Sequence, residues 1–288
     1  KANGGWGYNI PLPGLTASMD VTVQGSAGND SMNLNIDRTS DYTGNWTFNM
    51  GAGDDTLGSY AKYRGEGAAP LINGDSVDMG AGDDTVSLMI NSHTPTVANL
   101  NLVKLDGGAG SDTLSFLNFT NTAEISLSTG GATNFENILG SGGSETIKGD
   151  ANANILAGYK GVDILYGYAG NDILAGSYSG IPTLARIAEW LAGDSDSFNW
   201  ESNTGNNTLY GGAGDDKLFG SYRGNDTLDG GTGTDILSGG GGVDTFVIRE
   251  GDGSTTLAAA NVITDFSDGT DLIGLDNGLA FNQLTIAQ

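Results

Sequence analysis

The chain contains no cysteine and one histidine, His93. Disulfides and Cys-based zinc or iron–sulfur sites are therefore excluded. A catalytic triad or a paired-histidine metalloprotease site needs a second component, and none accompanies His93 in the loop Asn91-Ser-His-Thr-Pro95. Basic residues are scarce: 11 Lys and Arg face 35 Asp and Glu, giving a formal net charge of −24. Nucleic acid phosphates would be repelled by such a chain. Simple electrostatic docking on anionic lipid is disfavoured for the same reason. No apolar run approaches the ~20 residues that span a bilayer. The opening Lys1-Ala-Asn-Gly-Gly lacks the apolar stretch of a signal peptide. With no methionine start, the chain is expected to begin inside a longer protein.

Glycine and aspartate are what the sequence has in excess. The 49 glycines exclude a helical bundle and signal many turns with positive φ. The acids divide into 28 Asp and 7 Glu. Solubility alone would be served as well by Glu, which suits helices better. Short carboxylates in glycine turns work close to the backbone, which is how oxygen-ligand calcium sites are built. A chain without disulfides also needs another staple, and bound metal can supply one.

From Gly205 to Val247 the sequence repeats nearly every nine residues. Gly211-Gly-Ala-Gly-Asp-Asp216-Lys-Leu218-Phe is one unit. Gly230-Gly-Thr-Gly-Thr-Asp235-Ile-Leu237-Ser and Gly239-Gly-Gly-Gly-Val-Asp244-Thr-Phe246-Val are two more. Glycines stand at the first, second and fourth places, an acid at the sixth and an apolar residue at the eighth. A variant with one extra residue carries Asp226 and Leu228. Earlier units carry Asp163 and Asp172, and degenerate ones carry Glu145 and Asn154 in the acid place. Single Asp-Gly turns are common and solvated. Many units in one register are not accounted for that way.

About six residues of each unit should turn and three extend, so that two units make a coil. One apolar residue in nine is a starved core, set against an ordering cost of ~1–2 kcal/mol per residue. The turns must then contribute binding energy. Their glycines let backbone carbonyls face one point, and coils ~4.8 Å apart bring two turns together. An Asp oxygen from each turn completes the six to eight oxygens that calcium prefers. Carbonyls of Gly211, Gly214, Gly230, Gly233, Gly239 and Gly242 are candidate ligands, with Asp163, Asp172, Asp216, Asp226, Asp235 and Asp244. Asp216 is expected to share an ion with Asp235, and Asp226 with Asp244.

The first 139 residues show a longer period. Gly25-Ser-Ala-Gly-Asn-Asp30, Met50-Gly-Ala-Gly-Asp-Asp55, Met79-Gly-Ala-Gly-Asp-Asp84 and Gly107-Gly-Ala-Gly-Ser-Asp112 start 25, 29 and 28 residues apart. Strand-like alternation flanks each turn. A wide solenoid with its turns along one edge is expected, and Asp30, Asp55, Asp84 and Asp112 are candidate calcium ligands. Asp54 and Asp83 are expected to face solvent.

Three regions follow: 1–139 with the long period, 140–247 with nonapeptides and an insertion at 176–201, and 248–288 as a cap, read as truncated. Within the insertion, Leu184, Ile187, Ala188 and Leu191 lie on one face of a short helix that Pro182 starts and Gly193 stops. Gly-Ser-Tyr loops at 58–60, 176–178 and 220–222, two with Arg64 or Arg223 nearby, carry residue types favoured at interaction surfaces.

The units at 158–175 and 205–247 resemble the repeats-in-toxin (RTX, hemolysin-type) calcium-binding proteins, and those at 140–157 do so more loosely. Asp244-Thr-Phe-Val-Ile, Ile263-Thr-Asp-Phe and Gly269-Thr-Asp-Leu-Ile273 are similar to the segment that caps such repeats. The resemblance implies an all-β, right-handed parallel β-roll or β-solenoid with stacked calcium-binding turns, here with one short inserted helix. It also implies multiple Ca2+ and one-step (type I) secretion from a Gram-negative-type cell, hence an extracellular or cell-surface place. The insertion, Asn154 and Asn207 depart from the pattern. Calcium, self-association and cell-surface polysaccharide are the expected partners, with no nucleic acid and no membrane span. No catalytic constellation is present, so no enzymatic role is expected of this region. A structural part of the cell surface (S-layer or adhesin type) is the first functional reading. The alternative is the non-catalytic C-terminal module of a secreted hydrolase, lipase or sugar epimerase.

Overall fold

The computed structural model describes residues 20–35, 45–60, 75–89, 105–117, 124–127, 132–177, 205–252, 256, 259–276 and 278–283. The expected helix around Leu184–Leu191, His93 and Arg64 lie outside the described residues. Two compact units are present, Lys1–Ile138 and Leu139–Gln288.

In the first unit a strand precedes and follows each glycine turn. The strands are β1 (Val21–Gln24), β2 (Ser31–Asn35), β3 (Trp46–Asn49), β4 (Thr56–Tyr60) and β5 (Ser76–Asp78). Then come β6 (Thr85–Met89), β7 (Leu105–Asp106), β8 (Thr113–Ser115), β9 (Glu124–Ser126) and β10 (Asn137–Leu139), the last at the division between units. Strands β1-β3-β5-β7 make one sheet and β2-β4-β6-β8-β10 line up in another, while β9 belongs to neither. Parallel pairing sets Val23, Phe48, Val77 and Leu105 in one column. Met32, Leu57, Val86 and Leu114 form the other. Alternate side chains of a strand share a face, so each column turns inward as a line. All but Val23 are buried, and Trp46 and Phe48 stack at 5.7 Å within the core.

The second unit is a narrower roll. Its strands are β11 (Thr146–Lys148), β12 (Ile155–Ala157), β13 (Ile164–Ala169), β14 (Ile173–Ala175), β15 (Thr208–Ala213) and β16 (Lys217–Ser221). They continue as β17 (Thr227–Thr232), β18 (Ile236–Gly240), β19 (Thr245–Arg249), β20 (Val262–Ile263) and β21 (Leu272–Asp276). One sheet runs β12-β14-β16-β18-β20 and the other β11-β13-β15-β17-β19-β21. Its core is two lines of eighth-place residues. Ile147, Leu165, Leu209, Leu228 and Phe246 align in one sheet. Leu156, Leu174, Leu218 and Leu237 align in the other. Each of these is at most 1% exposed. The architecture is an all-β parallel β-roll, with a 3-10 turn at Phe281–Gln283. No helix of the described residues is long and apolar enough to cross a membrane.

Three extended residues per unit is too few for the regular part of the roll. β15 and β17 have six residues each, and their register runs on through Gly212↔Gly231 and Ala213↔Thr232. The reason is steric. A side chain on Gly231 would strike the Gly212 carbonyl, so glycine alone lets adjacent turns approach to pairing distance.

The two nonapeptide blocks, separated in sequence by residues 178–204, are continuous in space. Leu165 pairs with Leu209, and Leu174 with Leu218. On the outer face Tyr166 stacks on Tyr210 at 4.9 Å, with an 8° angle between the rings. At the far end the Arg249 guanidinium grips both oxygens of the buried Asp229 carboxylate, and its Nε donates to Asp276 at 3.1 Å. That clamp joins β17, β19 and β21.

Candidate metal centres at the turns

The sixth-place residues form rows along the edges of the coils. In the second unit the backbone N–H of Asn154 donates to Asp172 Oδ1 (2.8 Å), Asp172 to Asp216 (2.8 Å), Asp216 to Asp235 (3.0 Å) and Asp235 to Asn261 (3.0 Å). A second row links Glu145 to Asp163 (2.9 Å), Asp163 to Asn207 (2.9 Å), Asn207 to Asp226 (2.6 Å), Asp226 to Asp244 (2.8 Å) and Asp244 to Asp271 (3.0 Å). Asp216 and Asp235 are thus adjacent in one row, and Asp226 and Asp244 in the other. In the first unit Asp30, Asp55, Asp84, Asp112 and Glu136 make the same ladder, at 2.6–2.8 Å. Coils of 25 to 29 residues therefore present the same edge as nonapeptide coils.

One carboxylate oxygen is used in each rung and the other is the chemically important one. Oδ2 of Asp55, Asp84, Asp112, Asp163, Asp172, Asp216 and Asp235 is buried and accepts no hydrogen bond from the protein. These side chains are at most 1% exposed. A buried, unpaired carboxylate oxygen is costly unless a cation faces it. Beside Asp112, Asp163, Asp172 and Asp216 a backbone carbonyl points into the same space. A Cβ added to Gly211 would press on both Asp216 Oδ2 and the Gly230 carbonyl of the next coil. At Gly167 it would meet Asp172 Oδ2 and the Gly211 carbonyl, and at Gly158 Asp163 Oδ2 and the Gly176 carbonyl. At Gly230 and Gly239 the nearest atoms belong to Asp235 and Asp244. The first-place glycine thus keeps a small space open between a carboxylate and a carbonyl. An all-oxygen set of this kind fits a hard cation such as calcium, which accepts carbonyls and carboxylates in flexible geometry. Among the described residues no three His, Cys, Asp or Glu side chains gather at one point. A cation held here would draw most of its oxygens from the backbone.

The fourth-place glycines serve packing. Gly214, Gly233 and Gly242 have φ of 139°, 136° and 138°, and each lies against the carbonyl of the preceding coil. At the second place positive φ is the rule, as at Gly212 (116°) and Gly231 (87°). Tyr159 and Tyr168 hold the same sense at 84° and 79° without being glycine. Such a conformation costs an L-residue on the order of 1–3 kcal/mol.

Burial pushes the carboxylates up. Asp112, Asp172, Asp216, Asp226, Asp235 and Asp244 rise to about 6, chiefly through desolvation and partly opposed by the rung hydrogen bond. Asp163 rises to about 8, again from desolvation, with Glu145 adding negative charge beside it. Asp55 and Asp84 are raised for the same first reason.

Fifth-place residues, including the exposed Asp54 and Asp83, build an outer row of opposite polarity. Asn29 Oδ1 accepts from Asp54 N–H (2.9 Å), Asp54 from Asp83 (3.1 Å) and Asp83 from Ser111 (2.9 Å). Asn171, Asp215 and Thr234 repeat it, as do Asn206, Asn225 and Val243. Asp54 and Asp83, expected to face solvent, are exposed and in addition link neighbouring turns. Sequence reasoning missed Glu136, Asn261 and Asp271 as rungs. For the last two the signal was present: Asn261-Val-Ile263 and Asp271-Leu-Ile273 keep an apolar residue two places after the polar one. Asp265 closes the final turn by accepting from Gly239 (3.1 Å) and Gly240 (2.8 Å).

Fold and turns together define a parallel β-roll with buried carboxylates in register along its edges. Residues 104–122, 139–174, 201–221 and 222–253 match the family model of the RTX calcium-binding nonapeptide repeat, in four copies. The chain carries a calcium-binding RTX-type region. The first matched segment contains Asp112, the rung of the long-period row that precedes Glu136. A comparison with curated proteins returned no match.

Proposed function

We propose that this chain is the calcium-folded region of a secreted bacterial RTX protein, with a structural role at the cell surface of the S-layer or adhesin type. The observation that carries the reading is the row of buried Asp Oδ2 atoms facing backbone carbonyls. The residues proposed to hold calcium are Asp55, Asp84, Asp112, Asp163, Asp172, Asp216, Asp235 and Asp244, with carbonyls of the neighbouring turns. Calcium would supply positive charge and a coordination demand that carbonyls and carboxylates together meet. Binding energy is then folding energy. With −24 formal charge and a thin core, the chain stays unfolded at micromolar calcium and folds at millimolar calcium. An unfolded chain can be exported through a narrow channel, which supports type I secretion and an extracellular place.

The surface role rests on the repeated turns found in both units, together with the capacity of such a roll for self-association or for contact with cell-surface polysaccharide. Its test is light scattering during calcium addition. Concentration-dependent growth into oligomers or sheets supports a surface lattice. A calcium-bound form that stays monomeric at every concentration favours the non-catalytic module of a secreted hydrolase, lipase or epimerase. Circular dichroism with EGTA tests the foundation: β-signal should vanish on chelation and return with calcium, and an unchanged spectrum defeats the calcium-folding reading.

A further inference from the structure

The turns are not equivalent, and the backbone sense of the second-place residue sorts them. Where that residue has positive φ, as at Gly51, Gly80, Gly108, Tyr159, Tyr168, Gly212 and Gly231, the sixth-place Asp keeps a buried Oδ2 without a donor. Where the second place is Ser or Asp, φ is not positive, and the carboxylate or amide is closed on its own turn. Ser26 N–H donates to Asp30 Oδ2 (2.6 Å), Ser221 N–H to Asp226 Oδ2 (2.6 Å) and Ser267 N–H to Asp271 Oδ2 (2.8 Å). Asp150 N–H donates to Asn154 Oδ1 (2.8 Å), and Ser141 donates to Glu145 through its N–H (3.3 Å) and its hydroxyl. The Ser221 hydroxyl adds a second bond to Asp226 at 2.9 Å. Asp244 shares the open sense through Gly240 at 90°, beside the Asp265 carboxylate.

We propose that calcium populates only the open turns, while the serine-type turns of Asp30, Glu145, Asp226 and Asp271 are rungs that fold without metal. This rests on the calcium reading above and refines it. The reason is local. A glycine at the second place swings its N–H away from the sixth-place carboxylate and leaves an anionic oxygen to be matched by a cation. A serine keeps negative φ, and its N–H then occupies that oxygen. The consequence is an uneven roll, with consecutive open turns in one row and separated ones in the other. Asp172, Asp216 and Asp235 stand consecutively in one row of the second unit. In the other row Asp163 is followed by the neutral Asn207, bonded to Ser177 (3.2 Å), and by the self-closed Asp226. Two of the open turns hold tyrosine in a glycine conformation, which the neighbouring coils and a matched carboxylate sustain.

Calcium titration of the whole chain by calorimetry, with melting followed by circular dichroism, separates the classes. Asp216→Asn and Asp235→Asn should each lower the bound calcium by about one ion per chain. Asp226→Asn should leave the calcium count unchanged while lowering the melting temperature. A gain-of-site variant guards against misfolding: Ser26→Gly restores a Gly-Gly turn before Asp30 and should add about one ion. An equal loss of calcium in Asp226→Asn and Asp216→Asn, or no gain in a folded Ser26→Gly, overturns the sorting. A wild-type chain that binds no calcium overturns the calcium reading instead.

Discussion

In the open turns the sixth-place aspartate has two duties divided between its oxygens. Oδ1 fastens a neighbouring coil, and Oδ2 faces the space between turns. Asp235→Ala removes both, so in millimolar calcium it should destabilise the fold by about 2–3 kcal/mol, the range for a charge-assisted buried hydrogen bond. Asp54→Ala touches only the exposed outer row and should cost less than about 1 kcal/mol. Chemical denaturation of the two variants in calcium checks the ranking, and equal costs would refute the division. The acids themselves were legible in the sequence because their period is local. Which of them are closed by serine was not, since Asp30 and Asp55 occupy the same place in nearly the same hexapeptide. The difference lies in the φ of Ser26 against that of Gly51, at 110°.

At the level of elements, the strands are held by one apolar line per sheet and by coil-to-coil pairing. Leu237, 1% exposed, packs in the line of Leu218. Leu237→Ala should cost about 2–5 kcal/mol, the range for a buried leucine truncation, visible as a lower melting temperature with calcium bound. The last strands depend on a different contact. Arg249→Ala leaves the Asp229 carboxylate, 2% exposed, without its cation. A loss of about 3 kcal/mol follows, as for breaking one side of a buried pair. Faster amide exchange in β19 and β21 should accompany it. Strand positions were legible from Leu209, Leu228 and Phe246 at their fixed places. The clamp was not, because Asp229, Arg249 and Asp276 hold no residue type that the repeat prescribes and meet only when β17, β19 and β21 lie side by side.

For the whole molecule, charge governs when the roll can form. In the unfolded chain these carboxylates titrate near 3.8; in the metal-free roll Asp112, Asp172, Asp216, Asp226, Asp235 and Asp244 titrate at about 6 and Asp163 at about 8. The folded state therefore binds protons more tightly. Its stability without metal is greatest below pH ~4 and is lost as pH rises through about 6, with Asp163 extending the loss toward 8. In EGTA, acidification from pH 7 to 4.5 should raise the β-signal in circular dichroism. Calcium binding should strengthen from pH 5 to 7 and release protons, measurable by calorimetry in buffers of different ionisation enthalpy. A β-signal in EGTA that falls on acidification would contradict the burial of these groups.

The sequence alone determined the all-β class, the turn-and-strand register and the acid and apolar places, because each follows from chemistry repeated within nine residues. It also set the acidic balance and the absence of cysteine that leave a cation as the staple. Only the tertiary structure decided which coil lies on which. Asp172 meets Asp216 across 44 residues, and Asp163 meets Asn207 over the same span, because pairing between coils ignores what is inserted between them. The structure also decided which carboxylates are left unmatched, since that depends on the sign of one backbone angle in each turn.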